Sequence, residues 1–279
     1  MTIEEFHNKN NKFIECHDIV KIYLSRSNSV TALRGISYKF ENGKTYVIFG
    51  PSGAGKTTLL SCLGGLEIPS SGSINFNNRF KIDNESYDLF NFRITNVSFI
   101  FQNPLFIPFL NVVENIKFFG KKKGDFKKEK IEDVLKQTNL LHRKKFYPYQ
   151  LSGGERQRLS ISIALFLNNN IWLCDEPTGT LDTENKIQIM NLLKKIITKD
   201  TSKVLIIVTH DPLFHQIADK IIILRDGLFE LEMNGEEFEK YKQQTVMYGS
   251  LDKDLAEIIQ KQNILKKLEE IKNDLTKSK

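Results

Sequence analysis

The pattern of apolar and polar residues near the start of the chain is typical of half-exposed strands. β-branched and aromatic side chains dominate residues 14–23, and Ile36, Tyr38 and Phe40 alternate with polar neighbours. Such alternation indicates a strand with one buried and one exposed face. We therefore expect two early strands in an antiparallel layer.

Three later segments are apolar throughout and do not alternate. They are residues 45–49, 172–174 and 204–208. Short apolar runs of this kind are typical of strands buried on both faces in a parallel sheet. A predicted helix follows each of them, and these helices cover residues 56–63, 183–197 and 212–217. Strands that alternate with helices predict an α/β fold with a parallel core sheet wrapped by helices.

The remaining patterns divide the chain into a main domain with additions. Short helical segments predict an inserted helical subdomain over about residues 103–167. No internal repeat is present, so the main domain, residues 13–230, carries one copy of each motif. We expect an N-terminal tail at residues 1–12 and a charged amphipathic helical extension at residues 231–279.

The extension spaces its leucines and isoleucines at three, four and seven positions and balances its acidic and basic side chains. An apolar stripe on a helix needs a surface that covers it. We therefore favour an amphipathic helix over a nucleic-acid-binding arm. We expect this helix to stabilise a dimer or to dock a partner.

Composition places the 279 residues among ordinary globular proteins, with 40% hydrophobic and 27% charged residues. The longest aliphatic run, residues 204–208, has five residues, whereas a membrane-spanning helix needs about 18. The first residues are polar and acidic, unlike a secretory signal. We expect a cytoplasmic protein that reaches the inner face of the membrane only through a partner.

The cysteines and the net charge carry less information. Cys16, Cys62 and Cys174 are widely separated, which favours neither a disulfide framework nor a zinc site. The net charge of +6 is compatible with nucleic acid, an anionic membrane surface or nucleotide phosphates. For the lysine-rich stretch at residues 117–130 we favour a solvated face, and attraction to anionic lipid or an acidic loop is the alternative.

A phosphate-binding loop with the pattern GxxxxGK[ST] follows the first buried strand and precedes a helix, the setting that this motif requires. Its residues, with the threonine that follows, are Gly50, Pro51, Ser52, Gly53, Ala54, Gly55, Lys56, Thr57 and Thr58. Glycines let backbone N–H groups surround a polyphosphate at the positive end of the helix. Lys56 can reach the β- and γ-phosphates, and the Thr57 hydroxyl can ligate Mg²⁺.

A second apolar strand ends in two carboxylates, Asp175 and Glu176. Because parallel strands end along one edge of a sheet, we expect Asp175 to lie beside the phosphate loop and to hold Mg²⁺ directly or through water. Glu176 can polarise the water that attacks the γ-phosphate, a role worth about 10²- to 10⁴-fold in rate. The alternative, exposed acids before Pro177, is weaker downstream of a phosphate loop.

The segment LSGGERQR, residues 151–158, precedes a predicted helix that runs through Leu167. Ser152 is expected to cap this helix, and Gly153 and Gly154 leave its N-terminus uncovered. Since a helix N-terminus attracts anions, the segment predicts a second anion site.

These motifs, in this order, resemble the ATP-binding cassette (ABC) ATPases, and the resemblance spans about residues 13–230. LSGGERQR matches the family signature. The resemblance implies that Tyr23 stacks on adenine and that Gln102, in the Q-loop FIFQN, links Mg²⁺ to the helical subdomain. It also places Leu181 and Asp182 in the D-loop and makes His210, in VTHD, the γ-phosphate sensor. By itself, a tyrosine at a strand end indicates packing and a lone histidine a surface group.

The resemblance also implies a P-loop NTPase fold with an antiparallel β subdomain and the inserted helical subdomain. In this family, one chain's phosphate loop meets the signature of another, so we expect a homodimer, or a heterodimer with a second ABC ATPase. ATP and Mg²⁺ are the implied cofactors, and integral membrane permease subunits the implied partners. No nucleic acid is expected, because ABC proteins of ribosomes and DNA carry two cassettes or long coiled coils.

The exact residues of the motifs are most similar to those of the lipoprotein-releasing, macrolide-exporting and cell-division subfamily. That similarity implies an ATP-hydrolysing subunit that powers a separate permease in the export or extraction of a hydrophobic cargo. The alternative is a regulatory ATPase that controls an envelope or cell-division process through a membrane partner without moving cargo. Two departures, Ile163 for arginine and Thr180 for asparagine, leave the catalytic set intact, although an ion pair is expected to be missing at Ile163.

Overall fold

The computed structural model describes residues 13–25, 29–86, 89–121 and 128–240, without the side chain of Lys128. The expected N-terminal tail lies outside the described residues. So do residues 241–279 of the extension and part of the lysine-rich stretch.

Ten strands and six α-helices with the bounds below make up most of the described fold, and described residues 235–240 are also helical. The strands are β1 (Phe13–Leu24), β2 (Ser29–Glu41), β3 (Thr45–Phe49), β4 (Ser71–Phe76), β5 (Phe80–Asp83), β6 (Val97–Phe101), β7 (Ile171–Asp175), β8 (Val204–Thr209), β9 (Lys220–Arg225) and β10 (Leu228–Met233). The helices are α1 (Lys56–Leu63), α2 (Phe90–Asn96), α3 (Val112–Gly120), α4 (Lys128–Gln137), α5 (Gly153–Leu167) and α6 (Thr183–Lys199).

The strands form two sheets. An antiparallel sheet has the order β2-β1-β4-β5, which confirms the half-exposed layer predicted at the start of the chain. The core sheet has the order β10-β9-β3-β8-β7-β6, and all its strands are parallel except β10, which pairs antiparallel with β9. The core sheet is therefore the predicted parallel one.

Both faces of the core sheet are covered, which explains the apolar runs without alternation. Every residue of β3 is buried. Ile48 packs in a cluster with α1 and the antiparallel sheet, whereas its neighbour Val47 packs in a second cluster with α6. Because successive side chains point to opposite faces, a strand between two cores must be apolar at every position.

The helical subdomain has a core of its own. Ile116 of α3, Leu135 of α4 and Leu159 of α5 share it. Helix α5 belongs to both regions, because its Ala164 packs in the cluster with α6. Ile163 stands where an arginine was expected from the resemblance. Its side chain packs against the subdomain core, so its contacts there are apolar.

The helix predicted at residues 212–217 is present with those bounds. It is a 3₁₀ helix, which Asp211 caps by accepting a hydrogen bond from the Leu213 N–H. The predicted domain boundary at residue 230 lies within β10, because Met233 still pairs with Ile221 of β9. No helix in the described ranges is long and apolar enough to cross a membrane.

Candidate nucleotide-binding site

The carboxyl ends of four neighbouring strands gather the predicted site residues at one edge of the core sheet. In register, Phe49 of β3 pairs with Thr209 of β8, Val208 pairs with Asp175 of β7, and Asp175 pairs with Phe101 of β6. The phosphate loop, Glu176, His210 and Gln102 follow these strand ends directly. Ligands of parallel α/β sheets bind at this edge.

The phosphate loop needs glycine where its backbone passes other backbone. A Cβ at Gly50 would lie 2.2 Å from the Leu224 carbonyl oxygen, and one at Gly55, whose φ is +100°, would lie 2.4 Å from the Ala32 oxygen. The loop is also pinned at Ala54, whose carbonyl accepts a hydrogen bond of 3.1 Å from the Gly227 N–H. The loop is therefore a preformed cradle that leads into the N-terminus of α1.

Lys56 folds its side chain back over this loop. Its Nζ donates to the carbonyl oxygens of Gly50, at 2.7 Å, and Pro51, at 3.0 Å. Burial lowers the pKa of Lys56 below its usual value, an effect that the nearby Glu176 and Asp175 oppose. The amine thus lies over the loop, where phosphate oxygens can replace the carbonyl acceptors.

Thr57 and Asp175 lie side by side, as predicted for a shared metal. The Thr57 hydroxyl donates to Asp175 Oδ1 at 3.2 Å. Burial raises the pKa of Asp175, and the hydrogen bond from Thr57 opposes that rise. The described residues contain no cluster of three metal-binding His, Cys, Asp or Glu side chains. One hydroxyl and one carboxylate nevertheless fit Mg²⁺, which takes few protein ligands beside phosphate and water oxygens.

Glu176 is held in a restricted conformation. Its φ is +46°, in the left-handed region, and its N–H donates to the Val208 oxygen at 2.9 Å. The carboxylate lies 2.8 Å from His210 Nδ1 and accepts a hydrogen bond of 2.9 Å from the Thr209 hydroxyl. A non-glycine residue in this conformation costs energy and is typical of functional sites. The two predicted hydrolytic residues, Glu176 and His210, are therefore in direct contact.

Thr209 was missed as a functional residue by the sequence analysis. It is fully buried, and its hydroxyl also accepts a hydrogen bond from the Asp211 N–H at 3.0 Å. It therefore connects the segment VTHD, residues 208–211, to Glu176. The available signal was a single polar residue at the end of the apolar run of β8.

Gln102 reaches the correct sheet edge but not the predicted metal ligands. Its amide packs on Gly179, where a Cβ would lie 2.5 Å from Gln102 Nε2. In the described part of the chain, no hydrogen bond joins Gln102 to Thr57 or Asp175. Phe101, the residue before Gln102, is bound by α5, the helix that begins in the signature segment. Gln157 Nε2 of this helix donates to the Phe101 oxygen at 3.2 Å. Sequence reasoning assigned no role to Gln157.

Tyr23 lies near the end of β1 with 40% of its surface exposed. The Lys21 ammonium is 5.1 Å from the centre of its ring. Its partner in β2 is Val30, two residues before Ala32, which contacts the phosphate loop. Stacking of adenine on Tyr23 stays a prediction.

The signature segment forms the predicted helix start. The Ser152 hydroxyl accepts from the Glu155 N–H at 3.2 Å, and Glu155 Oε2 accepts from the Ser152 N–H at 2.8 Å. Desolvation raises the pKa of Glu155, but the Ser152 N–H and Arg143, 2.8 Å away, outweigh it, and the net shift is downward. No hydrogen bond or ion pair within the described ranges joins residues 152–154 to the phosphate loop. Within these ranges, the two predicted anion sites are therefore not linked by a hydrogen bond or an ion pair.

The fold and this edge of the sheet define a phosphate-loop ATPase. The chain matches the family described as "ABC transporter" over residues 33–179. It belongs to that family, and it is an ATP-binding subunit of an ABC transporter that hydrolyses ATP.

Curated relatives carry the name "Putative hemin import ATP-binding protein HrtA". The protein from Staphylococcus saprophyticus is 37% identical over 220 residues, which are 77% of this chain and 97% of that protein. The protein of the same name from Staphylococcus aureus strain MRSA252 is 36% identical over 215 residues, which are 75% of this chain and 96% of the relative.

Among solved structures, the chain is similar to the ATP-binding cassette MJ0796 in a dimeric post-hydrolysis state bound to ADP and Pi. The TM-score is 0.73 at 33% identity, over 79% of this chain and 98% of that one. CbiO1 from Clostridium perfringens, part of the transporter complex cbiONQ, gives a TM-score of 0.72 over 90% of this chain and 100% of that one. At 24% identity, this second match shows the fold alone.

Proposed function

We propose that two cassettes clasp Mg-ATP between the phosphate loop of one and the signature segment of the other, and that this cycle drives a separate membrane permease. The observation that carries the proposal is the separation within one chain. Lys56, Asp175 and Glu176 meet at one sheet edge, whereas no hydrogen bond or ion pair among the described residues joins residues 152–154 to the phosphate loop. A partner subunit supplies the missing half. MJ0796 is dimeric in a post-hydrolysis state with ADP and Pi bound, which supports a dimer for this chain.

Each half has a defined chemical task. The loop amides and Lys56 would bind the phosphates, and Thr57 and Asp175 would hold Mg²⁺, which would neutralise charge on the phosphate oxygens. Glu176, oriented by Thr209 and His210, takes the proton of the attacking water. ATP drives closure only because it binds the closed dimer more tightly than the open one.

Exposed apolar side chains beside the Q-loop support a permease partner. Leu105 and Phe109 follow Gln102 in the helical subdomain, with 84% and 77% of their surfaces exposed, and Tyr149 is 73% exposed. Large apolar side chains left in water beside the Q-loop support a surface that another protein covers. A movement of the Q-loop at Gln102 would therefore also move Leu105 and Phe109.

The cargo class is proposed as hydrophobic and the direction as export or extraction. The HrtA relatives are named for hemin, a flat and largely apolar molecule, which supports the cargo class. The same name specifies import, so the experiment must measure both directions.

The test is to purify the tagged chain from membranes with its co-purifying integral subunit and to reconstitute the pair into liposomes. Hemin, placed inside or outside, is the first probe. The proposal predicts ATP-dependent transfer toward the side opposite the cassette, and none with Lys56→Ala. Import alone would contradict the direction. ATPase activity that responds to the membrane subunit with no transfer of hemin or a lipophilic dye would instead support a regulatory ATPase.

A further inference from the structure

Asn185, in the first turn of α6, connects the signature helix to the D-loop within one chain. Its side-chain amide donates to Asp182 Oδ2 at 2.7 Å, and its backbone N–H donates to Asp182 Oδ1 at 3.0 Å. Its side-chain oxygen accepts from Arg158 of α5 at 3.2 Å. A single side chain thus bonds to both motifs.

The glycines of the signature segment bring the two motifs into close contact. A Cβ at Gly154 would lie 2.4 Å from Asn185 Oδ1, and a Cβ at Gly153 would lie 3.3 Å from Leu181 Cδ2. At position 154, only glycine leaves room for the Asn185 amide. The double glycine therefore packs against the D-loop, in addition to any part in anion binding.

Arg158 makes the chemical identity of Asn185 important. The guanidinium is half-buried, and its Nε is buried with no hydrogen-bond partner among the described residues. Its NH1 group donates to Asn185 and, at 3.3 Å, to Gln188. An amide accepts from an arginine and donates to a carboxylate at once, whereas aspartate lacks the donor and alanine lacks both groups.

We propose that Asn185 is a positioning residue for ATP hydrolysis: it fixes Asp182 to the signature helix, so that the D-loop and Ser152 meet the opposing subunit as one rigid unit. The inference rests on the proposed dimer. Asn185 does not contact the phosphate loop in the described structure, so it acts on closure and turnover and not on nucleotide binding by a single chain.

The test compares Asn185→Ala and Asn185→Asp with Gln188→Ala, a matched control that removes the other Arg158 acceptor. We expect both Asn185 variants to bind a fluorescent ATP analogue within about twofold of wild type. Their kcat should fall about tenfold, and in a Glu176→Gln background their Mg-ATP-dependent dimer should dissociate about tenfold more readily, as for the loss of one hydrogen bond to a charged group. Gln188→Ala should behave as wild type.

The double variant Asn185→Ala/Asp182→Ala should be no slower than Asp182→Ala alone, because both changes cut the same link. Wild-type kcat and dimer affinity in the Asn185 variants would overturn the inference, as would an equal loss of single-chain nucleotide binding. If wild type and Gln188→Ala both fail to dimerise, it is the proposed function that fails.

Discussion

The phosphate-loop end and the signature end of the molecule differ in how their polar groups are satisfied. At the phosphate-loop end, Lys56 donates to carbonyls of its own loop, and side chains from different elements bond to one another: Thr57 to Asp175, and Thr209 to Glu176. At the signature end, Ser152 and Glu155 bond to each other at the helix start, Glu155 also accepts from Arg143, and the glycines pack on Leu181 and Asn185.

The difference shows which part of the reaction one chain can prepare alone. The first end holds the groups proposed for nucleotide binding and hydrolysis in fixed positions, since its loop and strand ends are fixed by the core sheet. The second end presents the start of α5 and its two glycines, and none of the side chains proposed for Mg²⁺ binding or hydrolysis lies in residues 152–154. We therefore expect mutations at the first end to affect chemistry or nucleotide binding, and mutations at the second to affect closure.

The largest effect is expected for Glu176→Gln. The amide retains the size of the side chain and an acceptor for Thr209, but it cannot take a proton from water. Turnover should fall at least about 100-fold, measured as phosphate release, while a fluorescent ATP analogue binds as in wild type. Turnover within about threefold of wild type would assign the base to another residue.

Gly154→Ala should have the largest effect at the signature end. The added Cβ would overlap the Asn185 amide, and overpacking of this kind costs about 1–3 kcal/mol. We expect turnover to fall roughly tenfold, with unchanged nucleotide binding by the single chain. Gly235→Ala is the control, because its Cβ would come no closer than 3.4 Å to the His215 oxygen. Equal losses in the two variants would remove the argument from packing.

Thr209→Ala should reduce kcat by about tenfold without changing KM. A hydrogen bond to a charged group contributes about 1.5–3 kcal/mol. Without the Thr209 hydroxyl, Glu176 loses this bond and is less well oriented toward the attacking water. Thr209→Ser keeps the hydroxyl and should restore most of the rate. Steady-state kinetics of both variants decide the point, and a serine variant as slow as the alanine variant would show that the methyl group matters instead.

The smallest effect is expected for Tyr23. Base stacking on an aromatic ring contributes about 1–3 kcal/mol, so Tyr23→Ala should raise KM for ATP about fivefold or more with kcat unchanged. Tyr23→Phe keeps the ring and should match wild type. A change in kcat alone would place the ring outside the adenine site.

The sequence predicted most of the fold because the apolar runs report directly on burial. Residues 45–49 and 204–208 have a covered core on each face, so their lack of alternation identified the parallel sheet. The helix predicted at residues 212–217 is present with those bounds, and its six residues form a 3₁₀ helix after a capping aspartate. The predicted domain boundary at residue 230 lies within β10, where ladder pairing with β9 continues to Met233.

Motifs identified the residues of the site but not the side chains that orient them. Glycine spacing and strand-end acids are local patterns, so Lys56, Asp175 and Glu176 could be named from sequence. The bonds from Thr209 to Glu176 and from Gln157 to Phe101 join residues 33 and 56 positions apart. Such pairs become neighbours only through the order of strands in the sheet, which single residues do not encode.

The central claim is that nucleotide joins two chains across these complementary ends. The direct measurement is the mass of the Glu176→Gln protein by sedimentation, with and without saturating Mg-ATP. The account predicts one chain without nucleotide and two chains with it, and a return to one chain when Ser152 is also replaced by Arg. A protein that stays monomeric with Mg-ATP bound would contradict the account.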